Sequence, residues 1–143
     1  MGKKEKDERF RKFGTVGFTA TTRINDFIDR LEEGRVSATR CESCGTVYFP
    51  PRADCAGCRT SQMGWIDVQE PGRLVTYSTL AFGPRGFEGD LPYTIALVDF
   101  GVCKVFGRIA GGIDESELSI GMPLAARANP LADGRVNYVF DRA

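Results

Sequence analysis

The 143-residue sequence contains no histidine. That absence removes the commonest general acid–base group, every Ser–His or Cys–His nucleophile pair and every histidine-bearing metal site. Net charge is also lacking: nineteen Lys and Arg stand against nineteen Asp and Glu. Nucleic-acid binders ordinarily carry a basic surplus, so that class is disfavoured. No run approaches the roughly 20 apolar residues that span a bilayer. The opening stretch around Lys3, Lys4 and Lys6 has charge but no apolar segment behind it, which reads as no secretory signal. Lys6 also stands where a myristoylation signal wants Ser or Thr. The expected compartment is the cytoplasm. Cysteines stay reduced there, so the five present are read as metal ligands or free thiols before disulfides.

What is there falls into consecutive regions. Residues 1–21 form a charged leader with little apolar periodicity, expected to be flexible. Residues 22–35 contain an amphipathic helix: Ile24, Phe27, Ile28 and Leu31 fall at i, i+3, i+4 and i+7. Thr21 or Thr22 suits its start, and Gly34 suits a left-handed stop. The stripe has two readings, packing on its own domain or docking on a partner subunit.

Residues 36–63 hold four cysteines and two adjacent prolines but little that builds a core, so this segment needs a staple. Residues 64–143 read as β. Runs at 65–69, 73–80, 93–100, 102–109, 124–128 and 136–140 are rich in Val, Ile, Leu, Tyr and Phe. Gly101 marks one hairpin connection and Asp133-Gly134 another, while residues 114–118 read as one helical turn. Five principal strands with a short helical insert predict a small closed barrel of the OB type.

The strongest motif is Cys41-x2-Cys44 followed after ten residues by Cys55-x2-Cys58. Two residues between paired thiolates let both sulfurs turn onto one ion, and Gly45 permits the tight turn beyond the first pair. Two facing knuckles make a closed tetrahedral site of four sulfurs, the preference of structural Zn2+. A closed site has no open position for water, so this metal is not expected to be catalytic. A rubredoxin-like iron centre uses the same ligands and is the alternative. Cys103, with no histidine to activate it, reads as a partly buried core thiol.

In order, the chain presents helix, four-cysteine ribbon and barrel, with the passages FIDRLEEGRVSATRCESCGTVYFPPRADCAGC, GRLVTYSTL, PYTIALVDFGVCKVFGRIAG and IGMPLAARA. This ordered set resembles the acyl-CoA-associated zinc-ribbon/OB-fold family, catalogued as domain of unknown function thirty-five. The resemblance covers residues 24–140. It implies a mainly β fold: an N-terminal amphipathic helix, a rubredoxin-like zinc ribbon and an OB-fold barrel. It also implies a non-catalytic accessory subunit of a thiolase-type acyl-CoA enzyme, with the catalytic cysteine and histidines on the partner. Benzoylsuccinyl-CoA thiolysis in aromatic degradation is one candidate setting, and nothing in the residues selects it. Under that reading the stripe Ile24, Phe27, Ile28 and Leu31 docks the partner. CoA is contacted only together with the partner, and the glycine-rich loop 82–91 is the candidate: Arg85 for a phosphate and Phe87 for an adenine or acyl group. An ordinary solvated loop is the plainer reading of the same residues. Arg40, Arg52 and Arg59 surround the ribbon; Tyr48 and Phe49 are expected to pack it against the barrel or, if exposed, to anchor an interface, and Trp65, where the ribbon passes into the barrel, is expected in the core. The competing functions are a nucleic-acid-binding OB module and an iron-based electron carrier.

Overall fold

The computed structural model describes Arg9, residues 24–69 and residues 71–143. Helix α1 spans Asp26–Glu32. Asp26 and Asp29 in its first turn and Arg30 in its last match the helix dipole. It stops at Gly34, whose φ of +83° lets the Gly34 amide reach the Leu31 carbonyl and the Arg35 amide the Arg30 carbonyl. The proposed Thr21 or Thr22 cap lies outside the described residues. Within the leader Arg9 is described. Its guanidinium lies 2.8 Å from both Asp29 and Glu32, and its carbonyl accepts the Val136 amide at 2.9 Å.

The ribbon is a three-stranded antiparallel sheet of β1 (Ser37–Cys41), β2 (Val47–Tyr48) and β3 (Met63–Asp67), in the order β2-β1-β3. Residues 65–69, expected in the barrel, instead lie in and just after β3 of the ribbon sheet. Residues 63–67 pair residue for residue with β1, from Ser37 opposite Asp67 to Cys41 opposite Met63. Alternation alone does not say which sheet a strand joins; here the pairing partner is β1, a full strand that β2 covers at only two positions.

Five further strands close the barrel: β4 (Gly72–Leu80), β5 (Tyr93–Asp99), β6 (Lys104–Ile109), β7 (Pro123–Pro130) and β8 (Val136–Arg142). Their order is β4-β5-β6-β8-β7, with β7 returning to β4 through Gly72–Leu124 and Arg73–Pro123. The β6–β8 pair is parallel and runs through Arg108–Val139 and Ile109–Phe140. This mainly β architecture is the closed five-stranded barrel expected of an OB fold. Gly101 and Gly134 take positive φ in the two turns anticipated for them. The 114–118 turn is a 3-10 helix (Glu115–Glu117) closed by a reciprocal Asp114–Glu117 capping box.

One core serves ribbon, helix and barrel. Phe27, Ile28 and Leu31 of α1 join Val36 and Ala38 of the ribbon side with Leu74, Val98, Val105, Leu124 and Phe140 of the barrel. Phe27, Phe49 and Tyr138 meet edge-to-face, with ring centroids 5.3–6.4 Å apart. The Tyr138 hydroxyl donates to the Phe106 carbonyl at 2.8 Å, which satisfies its buried polar end. Asp67 ties the pieces together: it accepts from Ser37 at 2.7 Å and faces Arg35 at 3.0 Å and Arg30 at 3.5 Å. Among the described residues no helix is long and apolar enough to cross a membrane.

Candidate metal centre

The two CxxC segments fold as copies of one turn. In the first, the Cys41 amide donates to the Thr46 carbonyl and the Gly45 amide to the Cys41 carbonyl, each at 2.9 Å. In the second, the Cys55 amide donates to the Thr60 carbonyl at 2.9 Å and the Arg59 amide to the Cys55 carbonyl at 2.8 Å. The position after each second cysteine is left-handed: Gly45 has φ +75° and Arg59 φ +58°. Only the first knuckle meets that demand with glycine. The repeat is legible in the sequence as C-x-x-C-G-T and C-x-x-C-R-T, a signal that sequence reading could have used to find the threonines.

These turns bring the sulfurs of Cys41, Cys44, Cys55 and Cys58 within 4.8 Å of one another. Cys41 and Cys55 are buried; Cys44 and Cys58 face solvent. Four sulfurs bound to one zinc at about 2.3 Å stand about 3.8 Å apart, and Cys44 and Cys55 are already 3.7 Å apart. The donor set therefore fits a four-sulfur metal centre. Cys103 lies elsewhere, half-buried beside the core, where burial pushes its thiol up.

Side chains outside the motif support the sulfurs. The Thr46 hydroxyl sits 3.1 Å from Cys44, and Thr46 holds that thiol below its usual range. The Tyr48 hydroxyl lies 3.3 Å from Cys55 and accepts the Ala56 amide at 3.1 Å. The Cys58 amide, followed by the Tyr48 hydroxyl, brings Cys55 down to about 6. Cys58, sharing a proton with the Cys44 sulfur, is pushed up to about 12. A divalent cation displaces such shared protons when it binds. The Arg52 guanidinium stacks 5.0 Å over the Tyr48 ring, while Arg40 and Arg59 are exposed.

The remaining candidates are distributed differently. Phe27, Ile28 and Leu31 are 8%, 4% and 1% exposed inside this chain's own core, so the stripe assigned to partner docking is inward-facing. A seven-residue helix has little to gain alone, and its apolar face packs through Phe27 on Phe49 and on Tyr138 of β8. Ile24 is partly exposed in the turn before α1. In the loop between β4 and β5, Arg85 is exposed. Phe87 is not available to cover a ligand: it is buried with its ring 6.2 Å from Tyr93. The exposed aromatic of that loop is Phe82, at 89%.

Known proteins share this layout. The family described as ChsH2, rubredoxin-like zinc ribbon domain, matches residues 29–64. That described as ChsH2, C-terminal OB-fold domain, matches residues 65–129. A DUF35 domain-containing scaffold protein of Methanocaldococcus jannaschii is 36% identical over 91 residues, 61% of this chain and 62% of that protein. The alignment thus spans about three fifths of that relative's length. The benzoylsuccinyl-CoA thiolase subunit BbsA of Thauera aromatica is 24% identical over 106 residues, covering 67% of this chain and 72% of that one. A solved structure titled Ltp2-ChsH2(DUF35) aldolase superposes with a TM-score of 0.69 at 25% identity, covering 85% of this chain and 95% of that one.

Proposed function

Because the chain belongs to the ChsH2-type zinc-ribbon/OB-fold family (DUF35), we propose that it is a non-catalytic accessory subunit of a thiolase-type acyl-CoA enzyme complex. The observation that carries this reading is the likeness to the Ltp2-ChsH2(DUF35) aldolase chain over ribbon and barrel together. The thiolase subunit from Thauera aromatica supports the same class of partner. The cysteine centre supports the non-catalytic part: four sulfurs fill a tetrahedral ion's coordination and leave no position for water or substrate. The resident ion is Zn2+ on this reading, and its role is to hold the ribbon. Free thiols kept for metal suit a reducing compartment, the cytoplasm.

The partner supplies the acid–base and nucleophilic groups that a histidine-free chain does not bring. This subunit stabilises the partner and shapes the CoA entrance through the loop between β4 and β5. Arg85 is the phosphate contact in that loop and Phe82 the aromatic cover. The acyl group is the partner's to select, with aromatic β-keto acyl-CoA esters such as benzoylsuccinyl-CoA as one class to assay.

The test is affinity capture of the tagged chain from its native host, with mass spectrometry of the co-purifying proteins and metal analysis of the complex. A thiolase-type subunit and one zinc per chain are expected. Thioester turnover by the isolated metal-loaded chain overturns the accessory role, and a red, iron-containing preparation overturns the zinc assignment.

A further inference from the structure

A cleft of about 630 Å3 opens on the barrel between the β5 start, the β6 end and the β7–β8 turn, far in sequence from the cysteines. Arg108 of β6 lines it. The guanidinium lies 3.9 Å from the centre of the Tyr93 ring, and its Nη1 is 3.7 Å from Asp90. That separation is an ion pair but too long for a hydrogen bond. Its Nε and Nη2 are buried and make no hydrogen bond. These two nitrogens form the side edge of the guanidinium, where two N–H bonds run parallel and match two oxygens of one acceptor group. Buried donors are rarely left unmatched, because each costs about 1–3 kcal/mol.

We infer that the Arg108 cleft is a binding site for an organic monocarboxylate, with the carboxylate on the Nε–Nη2 edge and an apolar body against Ile113, Leu131 and Val139. On binding, the guanidinium turns its empty edge into the cleft; neither the ring-face contact nor the 3.7 Å ion pair to Asp90 is a hydrogen bond that this turn would break. Charge on the wall sets the class. Asp90, Asp114, Glu115 and Asp133 share the lining with Arg108. This acidic surround disfavours a phosphate dianion, while one carboxylate is still served by the fork. The assignment does not rest on the partner; Asp90 is shared with the loop between β4 and β5, whereas Arg108 lies on β6.

The experiment is 1H–15N NMR of the metal-loaded full chain, following the Arg108 Nε–H signal during titration with 3-phenylpropionate. Two further titrants are 3-phenylpropanol, which keeps the body and lacks the carboxylate, and inorganic phosphate. A saturable shift with the acid alone is expected, with phosphate at least about tenfold weaker. Arg108→Lys keeps the charge but loses the fork and should weaken binding about tenfold. Asp90→Asn removes the competing anion while keeping the side chain's shape and should tighten it, a readout that survives if R108K fails to fold. No saturable shift with the acid, or an equal shift with the alcohol, overturns the site. Phosphate binding as tight as the acid overturns the ligand class.

Discussion

The Tyr48 hydroxyl bridges the Cys55 sulfur, 3.3 Å away, and the Ala56 amide, 3.1 Å away, so one side chain fixes both a metal ligand and the turn that carries it. Tyr48→Phe leaves that amide without its acceptor and the sulfur with one donor fewer, the Cys58 amide remaining at 3.4 Å. The variant should lose about 1–2 kcal/mol and release its metal faster to a chelator in a competition assay. An unchanged release rate would show the hydroxyl to be incidental.

Removing a ligand acts more strongly. Cys44→Ser, or chelation of the wild type, should abolish metal binding and unfold the ribbon over residues 36–63, because bound metal supplies most of such a segment's folding energy. Metal content and amide dispersion of the β1–β3 sheet report it. A variant with full zinc and an unaltered melting curve contradicts the staple.

Arg59 occupies a left-handed position that the matching knuckle fills with Gly45. Arg59→Gly should relieve about 1 kcal/mol of backbone strain, offset in part by the greater freedom of glycine when unfolded. The melting temperature should rise slightly, whereas Gly45→Ala should lower it.

Gly72 admits no side chain. A Cβ there would stand 2.5 Å from Val98 Cγ1 and 2.9 Å from both the Asp99 carbonyl oxygen and Phe100 Cδ1. Gly72→Ala should cost about 1–3 kcal/mol by overpacking at the seam where β4 meets β7. Chemical denaturation measures the loss.

Asp67 predicts the acid limb of stability. Burial pushes its carboxyl up, but hydrogen bonds from Ser37 and Arg35, with the charges of Arg35 and Arg30, outweigh burial and hold it below the usual range. A depressed folded value means that the contribution is present above the unfolded value and is lost as pH falls through the folded one. Stability should therefore drop below about pH 4. Asp67→Asn should be less stable at neutral pH and flatter across that limb, measured by melting at a series of pH values.

Much of this was legible beforehand for local reasons. The cysteine spacing defines its own turn, and Gly34, Gly101 and Gly134 announce backbone that other residues avoid. What stayed hidden depends on contacts far apart in the chain. The period of the α1 stripe says that Phe27, Ile28 and Leu31 seek cover but not that Tyr138 and Phe49 of the same chain provide it. Alternation in residues 65–69 fits either sheet. Phe82 and Phe87 look alike in the loop, and only the fold decides that Tyr93 takes the second. Arg108 gave no signal, since its environment is assembled from segments some forty residues apart.

The passage from ribbon to barrel is short and leads through buried Val68, whose amide bonds to the Val36 carbonyl at 2.8 Å, to Pro71 just before β4. Helix, ribbon and barrel share one interior on both sides of this joint, so the cysteine end and the barrel end belong to one packed body. The molecule is shaped like a bracket, and a protein that grips both ends at once meets them at the angle that this common core sets.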